Sequence, residues 1–260
     1  MASQEIIVIK IGTSSITDIK SGVDYKTINL LAKAVAELKA QGHTLVIVSS
    51  GAMSLGICKL GLDHSHSGNV AYKQALTSVG QVSLMNAYDN IFKYYGYSVG
   101  QVLITHKGLD DKERNDCIKG TFENIFKLGV IPVVNANDTV TSEELAYGDN
   151  DSLSARVAVL LQAQKLIFIT DAGGFYDKDP HLDSSAKLIE RVTDIDDYIY
   201  SLAGESSTKV GLGGMKSKVE AARICMDDKV RLLITGKKEI SKLGNLYDSD
   251  VKIKGTWFYK

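Results

Sequence analysis

Glu5-Ile-Ile-Val-Ile-Lys-Ile11 is β-branched and almost continuously apolar, the pattern of a parallel strand covered on both faces. The next segment changes period. Ile28, Leu31, Ala32, Val35 and Leu38 recur at helical spacing, Gly42 follows as a C-terminal cap, and Leu45-Val-Ile-Val48 resumes a buried strand. That is one βαβ unit. Residues 98–104, 130–134, 166–169 and 230–234 read as further strands, most of them preceded by a helix-length stretch. The alternation predicts an α/β fold, a three-layer αβα sandwich around a largely parallel central sheet.

A chain of 260 residues is long enough for a sizeable core, and 44% hydrophobic with 23% charged residues excludes disorder for most of it. With 30 Lys+Arg against 31 Asp+Glu the formal charge is -1, so no global field draws the chain onto nucleic acid or anionic lipid. Any anion site must be local. Apolar runs such as residues 157–161 are core-sized, far below a spanning helix, and the first residues, Met-Ala-Ser-Gln-Glu, enter the strand pattern without a leader. The expectation is a cytoplasmic protein with no membrane partner. Cys58, Cys117 and Cys225 are odd in number and far apart, which supports buried thiols over a disulfide framework or a zinc site. His64 and His66, beside Ser65 and Ser67, read as a polar loop, and no metal ligand set is expected. The cluster from Asp110 to Asp116 reads as a solvated helix start or loop.

In open parallel sheets ligands bind outside the carboxyl ends of the strands. Here those ends carry Lys10-Ile-Gly-Thr-Ser-Ser15, Ser49-Ser-Gly-Ala52, Asn135-Ala-Asn-Asp138 and Thr170-Asp-Ala-Gly-Gly174, all small or polar. One such turn is explained by backbone demands alone; the four together predict a cleft. A Walker A loop is excluded, because Gly236-Lys237 runs into Lys238 and lacks the earlier glycine. Gly211-Leu-Gly-Gly-Met-Lys-Ser-Lys218 lacks the third glycine of a dinucleotide fingerprint and no strand leads into it. It reads either as a flexible loop with solvated lysines or as a glycine-rich opening of a helix near Gly214, with amide groups, Lys216 and Lys218 facing an anion. Gly148-Asp-Asn-Asp151 precedes a helix with apolar positions Leu153, Val157, Leu160 and Leu161. One cap needs one residue, so the remaining side chains are free to orient lysines or to hold an amine or Mg²⁺.

Lys-x-Gly-Thr-Ser, Ser-Ser-Gly-Ala, Asn-x-Asn-Asp, Gly-Asp-Asn-Asp, Thr-Asp with a glycine pair, Tyr176-x-x-Asp179-Pro180 and Gly-Gly-Met-x-x-Lys occur in this order along the chain. In that order they resemble the amino acid kinase family, over essentially the whole sequence, and within it the branch that phosphorylates the γ-carboxylate of L-glutamate with ATP, the first step of proline synthesis. The resemblance implies that Lys10 and Lys218 approach the ATP phosphates from opposite sides and that Asp151 orients both lysines. It further implies that Ser50 and Gly51 hold glutamate near its attacking carboxylate, with Asp138, Asp149 and Asn150 at the amino acid head. The nucleotide would lie against Lys10, Gly12, Thr170, Asp171, Leu212, Gly213, Gly214, Met215, Lys216, Ser217 and Lys218, with Mg²⁺ bound mainly by the phosphates. It implies proline as a feedback inhibitor and a homo-oligomer, with no nucleic acid partner.

The sequence departs from that pattern in three places. Ala136 stands where related sequences often carry Glu, Leu212 and Ser217 replace threonines, and with Lys260 as the last residue the RNA-binding-type PUA domain that many relatives carry is expected to be absent. The expectation is a single amino acid kinase domain over residues 1–260. Acetylglutamate, carbamate, aspartate and uridylate kinases of the same family stay open, as does a non-catalytic nucleotide sensor on the same fold. The segment from Asn135 to Asp151 discriminates the first group, and the presence of both Lys10 and Lys218 argues against the second.

Overall fold

Along β1 (Ile6–Ile11), Ile7, Ile9 and Ile11 enter one core and Val8 the other, so the period-2 alternation of a strand sorts the molecule into layers. The computed structural model describes residues 4–18, 22–63, 69–140, 150–180, 182–204 and 214–260. In chain order β1 is followed by α1 (Thr13–Ile16), β2 (Thr17–Asp18), β3 (Gly22–Val23), α2 (Tyr25–Ala40), β4 (Thr44–Ser49), α3 (Ala52–Lys59) and α4 (Val70–Tyr94). Then come β5 (Val99–Ile104), α5 (Lys112–Lys127), β6 (Ile131–Ala136), α6 (Asn150–Leu160), β7 (Lys165–Thr170), β8 (Arg191–Val192) and α7 (Asp197–Gly204). The chain finishes with α8 (Met215–Asp227), β9 (Arg231–Gly236), a 3-10 segment (Lys237–Asn245) and β10 (Gly255–Phe258).

The main sheet has the order β5-β6-β4-β1-β7-β9-β10-β8, parallel throughout except where β10 runs antiparallel to β9. The three-layer expectation holds. Val8, Val46, Val48, Val134, Leu166, Phe168, Leu232 and Ile234 pack against α5, α6, α7 and α8 on one face. Ile7, Ile9, Ile11, Ile47, Val133, Ile167 and Leu233 pack against α2, α3, α4 and the 3-10 segment on the other. The chain moves from β1 to β4 under α2 on one face and from β7 to β9 under α8 on the other, so its direction of travel reverses between β1 and β7. That switch point is where open sheets leave a crevice.

Helix termini follow two regimes. Away from the crevice, Asp24 caps α2 by accepting from the Thr27 amide at 2.9 Å, Asn69 caps α4 from Tyr72 at 3.0 Å, and Asp111 caps α5 from Arg114 at 2.8 Å. Gly42, at φ 93°, closes α2: its amide reaches Lys39 O at 2.9 Å and the His43 amide reaches Leu38 O at 3.1 Å, a Schellman turn. At the crevice, α1, α3 and α8 begin instead at Gly12, Gly51 and Gly214, none of which supplies a side-chain cap.

The thiols differ from expectation. Cys225 is buried in the core, Cys58 is half-buried and Cys117 is exposed, because α5 turns only Phe122 fully inward and leaves the rest of its turns to solvent. His64 and His66 lie outside the described residues. Among the described residues no helix is long and apolar enough to cross a membrane.

Candidate active site

Lys10 follows Val8 on the same face of β1, so the strand's alternation aims it at α6 and α8 rather than at α2. Its Nζ lies 2.5 Å from Asp151 Oδ1, near the start of α6, and 5.7 Å from the centre of the Phe168 ring, its register partner on β7. Lys218, on the first turn of α8, places Nζ 3.0 Å from Asp151 Oδ2. Ser217 Oγ sits 2.7 Å from the same oxygen and 2.8 Å from Gly214 O. All three charged residues are nearly closed to solvent, at 8% exposure for Lys10, 7% for Lys218 and 1% for Asp151.

Burial alone would favour the neutral acid. The Lys10 and Lys218 charges, with hydrogen bonds from Lys10 and Ser217, overcome it and hold the Asp151 carboxyl well below the usual carboxylate range. Asp151 is therefore a fixed anion. Among the described residues the cluster sets two ammonium groups on one carboxylate, beside a start of α8 that has no side-chain cap. Such an arrangement stabilises an incoming anion without having to reorganise.

Beside it lies a chain of amides. Asn150 Nδ2 is 3.0 Å from Ser49 O, 3.1 Å from Ser50 Oγ and 3.0 Å from Asn135 Oδ1. Asn135 Oδ1 also accepts from the Ala136 amide at 2.9 Å, and Asn135 Nδ2 donates to Gln81 Oε1 at 2.9 Å. A backbone carbonyl at one end and a backbone amide in the middle admit only one orientation of each side chain. Asn150 thus turns its nitrogen inward, and its Oδ1 is left as an acceptor with no hydrogen bond among the described residues. Ser49 Oγ meets Tyr88 OH of α4 at 3.0 Å, and burial pushes that phenol well above its ordinary range.

Glycines shape the remaining walls. Gly51, at φ 98°, turns the chain from β4 into α3, and a Cβ there would press on Ile16 and Thr17 at 3.2 Å. Gly12 donates to Ile169 O at 3.2 Å, which fastens the β1 turn to the end of β7. Thr170 pairs in register with Gly236, and a Cβ on Gly236 would come within 3.2 Å of Gly173 Cα, so the ends of β7 and β9 lie backbone to backbone as a flat ledge.

The structure brings together Lys10, Asp151, Gly214, Ser217 and Lys218 in one cluster, and Ser50 with Asn150 in the adjoining one. Thr170 is half-buried at the ledge, Asp171 exposed at its rim, Met215 half-buried and Lys216 exposed on the outer side of the α8 turn. Asp138 is half-buried in the turn after β6. Asp149, Leu212 and Gly213 lie outside the described residues. Sequence reading passed over Gln81 and Tyr88, which stand in mid-helix, and assigned no role to Asn135, although the Asn-x-Asn-Asp motif opens with it.

The fold and the paired lysines define a class, and the chain belongs to the amino acid kinase family, whose sequence profile matches residues 5–236. Its relatives within that family are glutamate 5-kinases. The enzyme of Caldanaerobacter subterraneus subsp. tengcongensis is 40% identical over 232 residues, 89% of this chain and 62% of that protein. The glutamate 5-kinase of Synechococcus elongatus is 40% identical over 98% of this chain and 69% of its own length. That of Clostridium acetobutylicum is 37% identical over 92% of this chain and 90% of its own. The chain thus spans about 62% of the length of some curated relatives and nearly all of another. The crystal structure of T. acidophilum isopentenyl phosphate kinase superposes with a TM-score of 0.63 over 98% of this chain and 100% of that one, at 16% identity, a likeness of fold.

Proposed function

We propose that the protein transfers the γ-phosphoryl group of ATP to the γ-carboxylate of L-glutamate, the first step of proline synthesis. A carboxylate oxygen bonds to the γ-phosphorus as the bond to the β–γ bridging oxygen breaks, which gives L-glutamyl 5-phosphate and ADP. The observation that carries this reading is the pair of buried lysines on one fixed carboxylate at the switch point of the sheet. A loose phosphoryl transition state spreads charge over three oxygens, and two ammonium groups held in place neutralise it without a protein nucleophile.

Asp151 acts as a positioning group, since it holds both lysines and has both oxygens engaged. That engagement fits an Mg²⁺ ion carried mainly by the nucleotide phosphates, where it would offset their charge. Asn150 Oδ1 and the carboxylate of Asp138 suit the ammonium of glutamate, and Ser50 lies beside Asn150. Thr170, Asp171, Gly12 and the opening of α8 from Gly214 through Lys218 would form the nucleotide side. The same reading includes proline as a feedback inhibitor, since its amine and carboxylate repeat the head of glutamate, and a homo-oligomeric assembly. The test is a panel of glutamate, acetylglutamate and aspartate with ATP and Mg²⁺, trapping acyl phosphate as hydroxamate. Product from glutamate is expected; product from the others with none from glutamate would overturn the assignment.

A further inference from the structure

We propose that Gln81, in the middle of α4, is a positioning residue for the amino acid side of the site. It touches no group assigned to substrate; it acts through Asn135, and its role rests on the glutamate reading above. Gln81 Oε1 accepts from Asn135 Nδ2 at 2.9 Å, which leaves Asn135 Oδ1 to receive Asn150 Nδ2 at 3.0 Å. That bond, with Ser49 O, fixes which face of Asn150 is free, and the free face is an oxygen suited to an ammonium.

Gln81 is placed for this by its neighbour. A Cβ on Gly80 would fall 1.7 Å from Ala52 O, and one on Gly56 would fall 1.9 Å from Leu76 O, so α3 and α4 cross with their backbones in contact. Ala52 directly follows the Ser50-Gly51 turn. One short stretch of α4 therefore holds the turn after β4 through Gly80 and the end of β6 through Gln81, and fixes the spacing between them.

The other half of the side chain argues for the same role. Gln81 Nε2 is buried and has no hydrogen-bond partner, and Thr77 Oγ1, one turn earlier on α4, is also buried and unpartnered. Burying an unpaired donor destabilises a fold, so core packing alone favours an apolar residue of this shape. The acceptor end is what the position uses.

The test compares Gln81→Met, which keeps the volume and loses the acceptor, with Gln81→Glu, which keeps an acceptor in place. Gln81→Met is expected to raise the KM for glutamate about tenfold, with kcat and the ATP KM within about threefold of wild type, and Gln81→Glu to keep the glutamate KM within about threefold. In an Asn135→Ala background Gln81→Met should change that KM less than twofold, because the path it acts through is gone. Multiplicative effects of the two changes, or an unaltered KM in Gln81→Met, would overturn the assignment. Should Gln81→Met fail to fold, Gln81→Glu in an Asn135→Asp background sets two acceptors face to face and is expected to exceed the product of the single effects; a simple product would overturn it. Absence of turnover with glutamate in the wild type would instead sink the glutamate reading, and the same cycles would then be read on whichever acceptor the wild type uses.

Discussion

The sheet carries a buried lysine–carboxylate cluster at each end, and the two differ in stoichiometry. At the amino ends of the strands, Lys165 of β7 pairs with Glu5 just before β1; Tyr247 donates to the same Glu5 oxygen, and its ring lies 4.5 Å beneath the Lys165 ammonium. His43 stacks on Tyr247 at 4.4 Å and accepts from the Glu5 amide at 3.3 Å. One cation meets one anion, and aromatic rings close the group. At the carboxyl ends, Lys10 and Lys218 share Asp151, and three neighbouring helices start at glycines without side-chain caps. The first cluster is satisfied internally and fastens strands together. The second sets two cations on one carboxylate, at the switch point of the sheet.

The largest expected effect breaks the second cluster without touching the first. Lys10→Ala or Lys218→Ala should lower kcat by about 10² or more, the loss typical of removing one transition-state charge, while the protein stays folded. The readout is kcat at saturating substrates together with a thermal unfolding curve. Near-wild-type kcat in a folded variant would remove that lysine from the mechanism and make the two ends of the sheet alike.

The converse change is Lys165→Met. It strips the partner from Glu5, whose side chain is 16% exposed, and breaking such a pair costs about 3 kcal/mol. Denaturant unfolding should show that loss, with kcat within about twofold of wild type. A fall in kcat with stability preserved would show that the amino end also serves the reaction.

This division explains how much was legible in the sequence. The strands β1, β4, β6, β7 and β9 are covered on both faces, so burial writes itself as continuous apolar runs. β10 was missed because Gly255-Thr-Trp-Phe258 lies among lysines and gains its place only by antiparallel pairing with β9. The α3–α4 crossing was missed for a different reason. Gly56 and Gly80 look like helix breakers until a partner backbone occupies the space of the absent Cβ. In the site, the residues that read clearly were those on strand ends and helix starts, where lysine, aspartate and glycine are expensive to place by chance. Gln81 gave no signal, since a glutamine in mid-helix is ordinary until Asn135 is seen against it.

A smaller effect sharpens the division inside the site, between the lysine cluster and the amide chain. Asp138→Ala should raise the KM for glutamate about tenfold and leave the ATP KM little changed, since the residue is assigned to the amino acid head. Proline inhibition should weaken in the same variant, and in the wild type glutamate should raise the apparent inhibition constant of proline, as linked binding requires. Inhibition curves unmoved across a wide glutamate range would place proline elsewhere. Absence of inhibition at high proline would point to Ala136, to be tested with Ala136→Glu.

The smallest expected effect concerns the amino end, where His43 serves as an acceptor and must stay neutral to do so. Burial disfavours its charged form; the Glu5 carboxylate works the other way and the Lys165 ammonium reinforces burial, with the net result that its pKa is lowered from 6.5. A histidine whose folded pKa lies below its unfolded one binds more protons unfolded, so its contribution is complete above pH 6.5 and is lost as pH falls through the folded value. Glu5 adds a separate loss further down: its carboxyl is lowered from 4.5, because hydrogen bonds from Lys165 and Tyr247 with the Lys165 charge outweigh burial, so its contribution fades only below that pH. Melting temperature followed from pH 8 to pH 3 should therefore fall in two stages, the first of which disappears in His43→Gln, whose amide oxygen can still accept from the Glu5 amide without titrating. Asp151 adds its own loss only near pH 4 and below, where the unfolded carboxyl titrates around 3.8 while the folded one, held by Lys10 and Lys218 against its burial, stays ionised. A first stage that persists in His43→Gln would move the titrating group away from the satisfied end of the sheet.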